Sequence, residues 1–114
     1  MKFLCLIYDE ENQWETMAKS EVDTLMSEFR AFTENIKGSG HYVGGNRLRP
    51  TQTARTVRIR NGKLLATDGP FAETKEQLGG YYIIEAKDLD DAVKVASRIP
   101  SARFGSIEVR PIFV

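Results

Sequence analysis

The chain is predicted to adopt an α+β fold, with one antiparallel sheet carrying two helices on a single face. Three observations predict it. Two stretches with apolar residues at helical spacing, 20–37 and 88–99, each lie between segments rich in strand-forming residues. Asn61-Gly62 joins two short runs, which is a strong hairpin signal. The resulting order, β-α-β-(β-β)-β-α-β, places about five or six strands around two helices. That is a ferredoxin-like plan with an extra β-hairpin.

Residues 2–8, KFLCLIY, are apolar on both alternations, as expected of a central strand covered on both faces. Residues 9–18 are acidic and read as irregular, with Trp14 packing over a core edge. Ser20 is read as the cap of the first helix, with Asp23 three residues on. Val22, Leu25, Met26, Phe29, Phe32, Thr33 and Ile36 form its apolar stripe, and Gly38 and Gly40 end it. His41 to Leu48 is a short strand loosened by Gly44 and Gly45, and Arg49-Pro50 turns the chain.

Thr56 to Arg60 alternates strictly, so Val57 and Ile59 face one way and Arg58 and Arg60 the other. Asn61-Gly62 reverses the chain into Lys63 to Thr67, and Asp68-Gly69-Pro70-Phe71 is a turn. Ala72 to Leu78 is read as one helical turn broken by Gly79-Gly80, and Tyr81 to Ala86 as a strand. Asp88 caps a second helix whose buried face is Leu89, Ala92, Val93, Ala96 and Ile99, with Pro100 beyond it. Ser106 to Phe113 is the last strand, with Ile107 and Val109 opposite Glu108 and Arg110. The sheet face that carries no helix then needs a cover, and a homodimer is expected.

The 114 residues are 41% hydrophobic and 28% charged, a composition that fits one globular domain spanning 1–114 and excludes disorder. Sixteen basic residues balance sixteen acidic ones, which argues against a nucleic-acid binder. One cysteine, Cys5, cannot form an internal disulfide, so a reducing cytoplasmic setting is expected. No apolar run is long enough to span a bilayer. The neutral total hides a segregation. Residues 38–66 hold six basic residues and no acid, whereas 1–37 and 67–114 each hold eight acids. This segment is either a solvated face or an anion-binding surface.

The run Asp68-Gly69-Pro70-Phe71-Ala72-Glu73-Thr74-Lys75-Glu76-Gln77-Leu78-Gly79-Gly80-Tyr81 resembles the signature of the YCII-related, or DGPF-domain, family of small bacterial proteins. The opening strand, Thr56-Val57-Arg58, Arg98-Ile99-Pro100 and the ending Gly105 to Pro111 are similar too. The resemblance implies a dimeric α/β barrel, with two sheets facing each other across a cleft. It also implies genomic company with extracytoplasmic-function sigma factors. A histidine–aspartate pair has been proposed for the broader group, its histidine on the first helix. Residues 20–37 hold no histidine, so no dyad carries over.

The candidate catalytic residues are therefore Asp68, held before a Gly-Pro turn, and Glu73, either of which could move a proton. Arg58, Arg60, Glu108 and Arg110 all lie opposite the apolar residues of their strands. If those apolar residues pack under the helices, the four charges enter the dimer cleft, either as an interface network or as a ligand site. Tyr81 or Tyr82, one in each register, would add a ring and a hydroxyl. His41 is expected to be exposed at a helix exit and Cys5 to be an inert buried thiol. No metal-ligand spacing, phosphate loop or nucleophile elbow occurs, so no cofactor and no metal are expected. The function expected is the binding of a small polar or anionic ligand, with or without acid–base catalysis. The competing expectation, which the resemblance implies, is a non-catalytic regulatory or protein-interaction module associated with an extracytoplasmic-function sigma factor.

Overall fold

Residues 1–113 are described by a computed structural model. The chain runs β1 (Lys2–Asp9), α1 (Glu11–Thr16), α2 (Lys19–Gly38), β2 (Tyr42–Arg47), β3 (Arg55–Arg60), β4 (Lys63–Asp68), β5 (Gln77–Glu85), α3 (Leu89–Ala96) and β6 (Ser106–Pro111). Short 3-10 turns occupy Thr51–Thr53 and Pro100–Arg103. Four strands form one antiparallel sheet in the order β2-β5-β1-β6, the ferredoxin-like arrangement.

Strand β1 is central because β5 and β6 pair with its two edges. Its odd positions, Phe3, Cys5, Ile7 and Asp9, are buried, while Leu4, Leu6 and Tyr8 are only partly covered. Phe3, Cys5 and Ile7 join Tyr82 and Ile84 of β5, Phe32 and Ile36 of α2, and Ala92, Val95 and Ala96 of α3 in one core. Each large aliphatic side chain there contributes about 1.5–3 kcal/mol of burial. The Tyr82 ring meets Phe32 edge-on at 5.2 Å, and its hydroxyl lies 2.7 Å from Thr33 Oγ1.

Several local expectations are corrected. Residues 11–16 form helix α1 rather than an irregular segment. Helix α2 starts at Lys19 with Ala18 at its N-cap position, so Ser20 lies inside the first turn and caps nothing. Residues 72–76 contain no helical turn, and β5 begins at Gln77 and runs through Gly79-Gly80. These glycines do not break the strand, because a bulge absorbs one of them. Ile7 pairs with Gly80 and Tyr8 with Leu78, leaving Gly79 without a partner on β1. On α3, Leu89 and Val93 are exposed, and Val95 takes the buried place. The last strand stops at Pro111.

The hairpin is present as expected. Asn61 and Gly62 have φ of 52° and 72°, the backbone that a two-residue primed turn requires. It forms a separate two-stranded sheet, however, and does not lie under the helices. Val57 and Ile59 are exposed, so the premise that put Arg58 and Arg60 in a cleft fails. Strict alternation says which residues share a face and nothing about what covers that face.

Candidate functional site

At the end of the sheet where β1 finishes, a cavity of about 460 Å³ opens between the strands, α1 and α2. Its walls include Ile7, Trp14, Met26, Phe29, Tyr42 and Tyr82, with Arg47 and Arg49 at the polar side. The size is that of a small-molecule pocket, largely apolar with a few convergent polar groups. On its floor lies Asp9, only 4% exposed.

The local sequence explains why a carboxylate is buried here. Asp9 continues the inward alternation of Phe3, Cys5 and Ile7. The Gly79 bulge lies beside it: a Cβ placed on Gly79 would sit 3.6 Å from Asp9 Oδ1. Gly105 packs closer still, since a Cβ there would lie 2.2 Å from the Tyr8 carbonyl and 2.9 Å from Asp9 Cβ. Bare backbone at Gly105 therefore makes room for the strand end that carries the carboxylate, whereas a Cβ at Gly79 would meet it in ordinary contact. The fully buried Ser101 hydroxyl donates to Asp9 Oδ2 at 3.2 Å.

Burial pushes the Asp9 carboxyl above its ordinary value. Hydrogen bonds from Trp14 and Ser101 pull it back, the charge of Glu76 raises it, and that of Arg47 lowers it. A group with these opposing influences, facing a cavity, can both accept and return a proton. The Arg47 guanidinium stacks over the Trp14 ring at 4.9 Å and lies 3.7 Å from Met26 Sδ. Glu11 accepts bonds from the Thr51 backbone N–H at 2.6 Å and its hydroxyl at 2.8 Å. That clasp fixes the chain after Arg49-Pro50 against α1. Arg47 and Arg49 carry the cavity's positive charge.

The residues expected from the sequence are scattered. Asp68 is exposed at the end of β4 and pairs with Arg55 Nε at 3.4 Å. Glu73 is exposed in the segment before β5. Arg58 and Arg60 are exposed on the hairpin, where Arg60 donates to the carbonyl of its neighbour Ile59 at 3.0 Å. Glu108 and Arg110 pair with each other on the sheet face opposite the helices. Tyr81 shares that face, where its hydroxyl accepts from Asn46 Nδ2 at 3.0 Å. Tyr82 points the other way and lines the cavity. His41 is partly covered: its Nδ1 lies 2.7 Å from Ser39 Oγ and its Nε2 3.4 Å from Asp91 Oδ2, which ties the exit of α2 to α3. Among the described residues, no three His, Cys, Asp or Glu side chains are placed to hold a metal ion. No helix among them is long and apolar enough to cross a membrane.

The residues missed from the sequence are Asp9, Ser101, Trp14 and Arg47. Asp9 carried a signal, a carboxylate in register with three buried apolar positions. The basic segment carried another, but it delivers Arg47 and Arg49 to the cavity rather than Arg58 and Arg60.

Fold and cavity together define a small ferredoxin-like α+β protein with a buried carboxylate in the wall of a pocket of small-molecule size. The YCII-related domain model matches residues 1–114, and the chain belongs to that family. An uncharacterized protein of Rhizobium meliloti (strain 1021) is 37% identical over 114 residues, covering 98% of this chain and 92% of its own. Among solved structures, 5-chloro-2-hydroxyhydroquinone dehydrochlorinase (TftG) from Burkholderia phenoliruptrix AC1100, in complex with 2,5-dihydroxybenzoquinone, shares the fold. Its TM-score is 0.57 at 16% identity, over 99% of this chain and 94% of that one.

Proposed function

We propose that this chain binds a small ring-shaped acid or phenol in the Asp9 cavity and that Asp9 moves a proton on the bound molecule. The single observation that carries the reading is a buried carboxylate, its pKa pushed up by that burial, lining the same cavity as Trp14, Phe29, Tyr42 and Tyr82. Apolar and aromatic walls suit a flat ring, and Arg47 and Arg49 suit a carboxylate or a charge that develops on oxygen. The complex of the TftG dehydrochlorinase with 2,5-dihydroxybenzoquinone supports the choice of ring. In this reading Asp9 takes a proton from a hydroxyl or an activated carbon and returns it to the product, while Ser101 and Trp14 hold the carboxylate in place. Asp68 and Glu73 stand outside the chemistry.

The reading extends to assembly. Leu4, Leu6, Ile83, Tyr8 and Tyr81 form a half-exposed apolar strip on the sheet face that carries no helix. A second copy covering that strip makes a homodimer, and a cytoplasmic single-domain protein fits its free thiol. Isothermal titration with 2,5-dihydroxybenzoquinone and with hydroxybenzoates tests the site. Saturable binding to the wild type, weakened by Asp9→Asn and by Arg47→Met, is the expected result. Absence of binding by every ring acid, or binding untouched by both substitutions, overturns it.

A further inference from the structure

The hairpin β3–β4 has two exposed faces. Val57, Ile59 and Leu64 are 62%, 59% and 67% exposed, and the register puts them on one face together with Ala66. Arg58, Arg60 and Lys63 occupy the other face with Leu65. An isolated two-stranded hairpin is marginal in water, because it has nothing to bury its apolar side against. Yet this one is specified strongly, by its Asn61-Gly62 turn and by a fastened root. The Gly69 N–H donates to the Ala54 carbonyl at 2.7 Å, and the Thr56 hydroxyl donates to the Gly69 carbonyl at 2.9 Å. Thr51, just before the root, is bonded to Glu11.

The arm also stretches the molecule. Its radius of gyration is 16.0 Å, against about 13 Å for a compact chain of this length. Charge points to what it grips. Residues 55–68 hold four bases and one acid, whereas the other 100 residues hold twelve bases and fifteen acids. Arm and body therefore carry opposite net charge, and the fastened root keeps the arm off its own body. Another copy of this chain presents the same acidic body within reach of the arm.

We propose that the hairpin of one copy clasps the body of a second copy. The apolar face of Val57, Ile59, Leu64 and Ala66 lies against that body, and the long side chains of Arg58, Arg60 and Lys63, rooted on the opposite face, bend round the edges of the two-stranded ribbon toward its acids. Two-fold symmetry makes the grip reciprocal. Because Glu11 lines the cavity and holds the arm's root, the clasp also steadies the cavity mouth. The inference rests on the homodimer of the preceding section and adds a second contact to it.

The test is sedimentation equilibrium of the wild type and of Val57→Thr/Ile59→Thr/Leu64→Thr, which keeps β-forming residues. Hydrogen exchange of wild-type amides 55–68 at high and low protein concentration accompanies it. A dimer weakened about tenfold or more in the variant, with arm amides protected only at high concentration, is the expected result. Arg58→Glu/Arg60→Glu weakens the dimer as well, by an amount that shrinks with added salt. A wild-type dimer that the variants match, with arm amides exchanging freely, overturns the clasp and leaves the dimer standing. A wild type that stays monomeric overturns both.

Discussion

Replacing Ser101 by alanine isolates the contact that holds the candidate catalytic group. The Ser101 hydroxyl is wholly buried and gives its hydrogen bond to Asp9 Oδ2 at 3.2 Å. A bond to an ionised acceptor is worth about 1.5–3 kcal/mol, and one between neutral groups about 1 kcal/mol. The 3.2 Å separation is long for a hydroxyl donor, which favours the lower end. With Asp9 ionised, the expected loss is about 1.5–2 kcal/mol. Unfolding entropy scales with length, and for 114 residues this loss lowers the melting temperature by about 6–8 °C.

The sign with pH follows from the raised Asp9 pKa. Ionisation is disfavoured in the folded state, so Asp9 costs stability above its folded pKa, and the cost disappears as pH falls below the unfolded value. Ser101 reduces that cost by favouring the ionised form. Its removal therefore hurts most above the folded pKa of Asp9 and least below it. Thermal melts of both proteins across the acid range measure this. A melting difference that stays constant through the titration of Asp9 refutes the claim that Ser101 supports an ionisable, buried carboxylate.

Other outcomes follow from the same geometry. Burial pushes the Cys5 thiol up to about 11, so a disulfide reagent at mildly alkaline pH should label it only after denaturation; rapid labelling of the folded protein contradicts its place in the core. Ile84→Ala empties a fully buried position and should cost about 2–5 kcal/mol by denaturant unfolding. Gly105→Ala forces a Cβ to within 2.2 Å of the Tyr8 carbonyl. It should destabilise by about 1–3 kcal/mol or more and weaken ring binding, because the strand end that carries Asp9 must move.

The hairpin turn was legible because its chemistry is local: Asn61 and Gly62 tolerate the positive φ that the turn requires. The sheet was legible because two helices between strands leave few topologies. The placement of the arm was not, since alternation is identical for a strand under a helix and for one in solvent. The Gly79-Gly80 pair reads as a break, and only the pairing of β1 with β5 shows that one glycine forms a bulge beside Asp9. The site itself brings together Asp9 and Ser101, 92 residues apart, and Glu11 and Thr51, 40 apart. No local pattern encodes such meetings. Asp9 could have been singled out by extending the inward set Phe3, Cys5, Ile7 by one more step. Arg58 and Arg60 drew attention instead, through a regular alternation that turned out to belong to the arm.

The most direct test of the account is the titration of the Asp9 side-chain carboxyl by carbon NMR, with and without saturating 2,5-dihydroxybenzoquinone. Burial should make Asp9 titrate above its ordinary value in the free protein, and the ring ligand should shift this titration. An ordinary titration that the ligand leaves unmoved contradicts both.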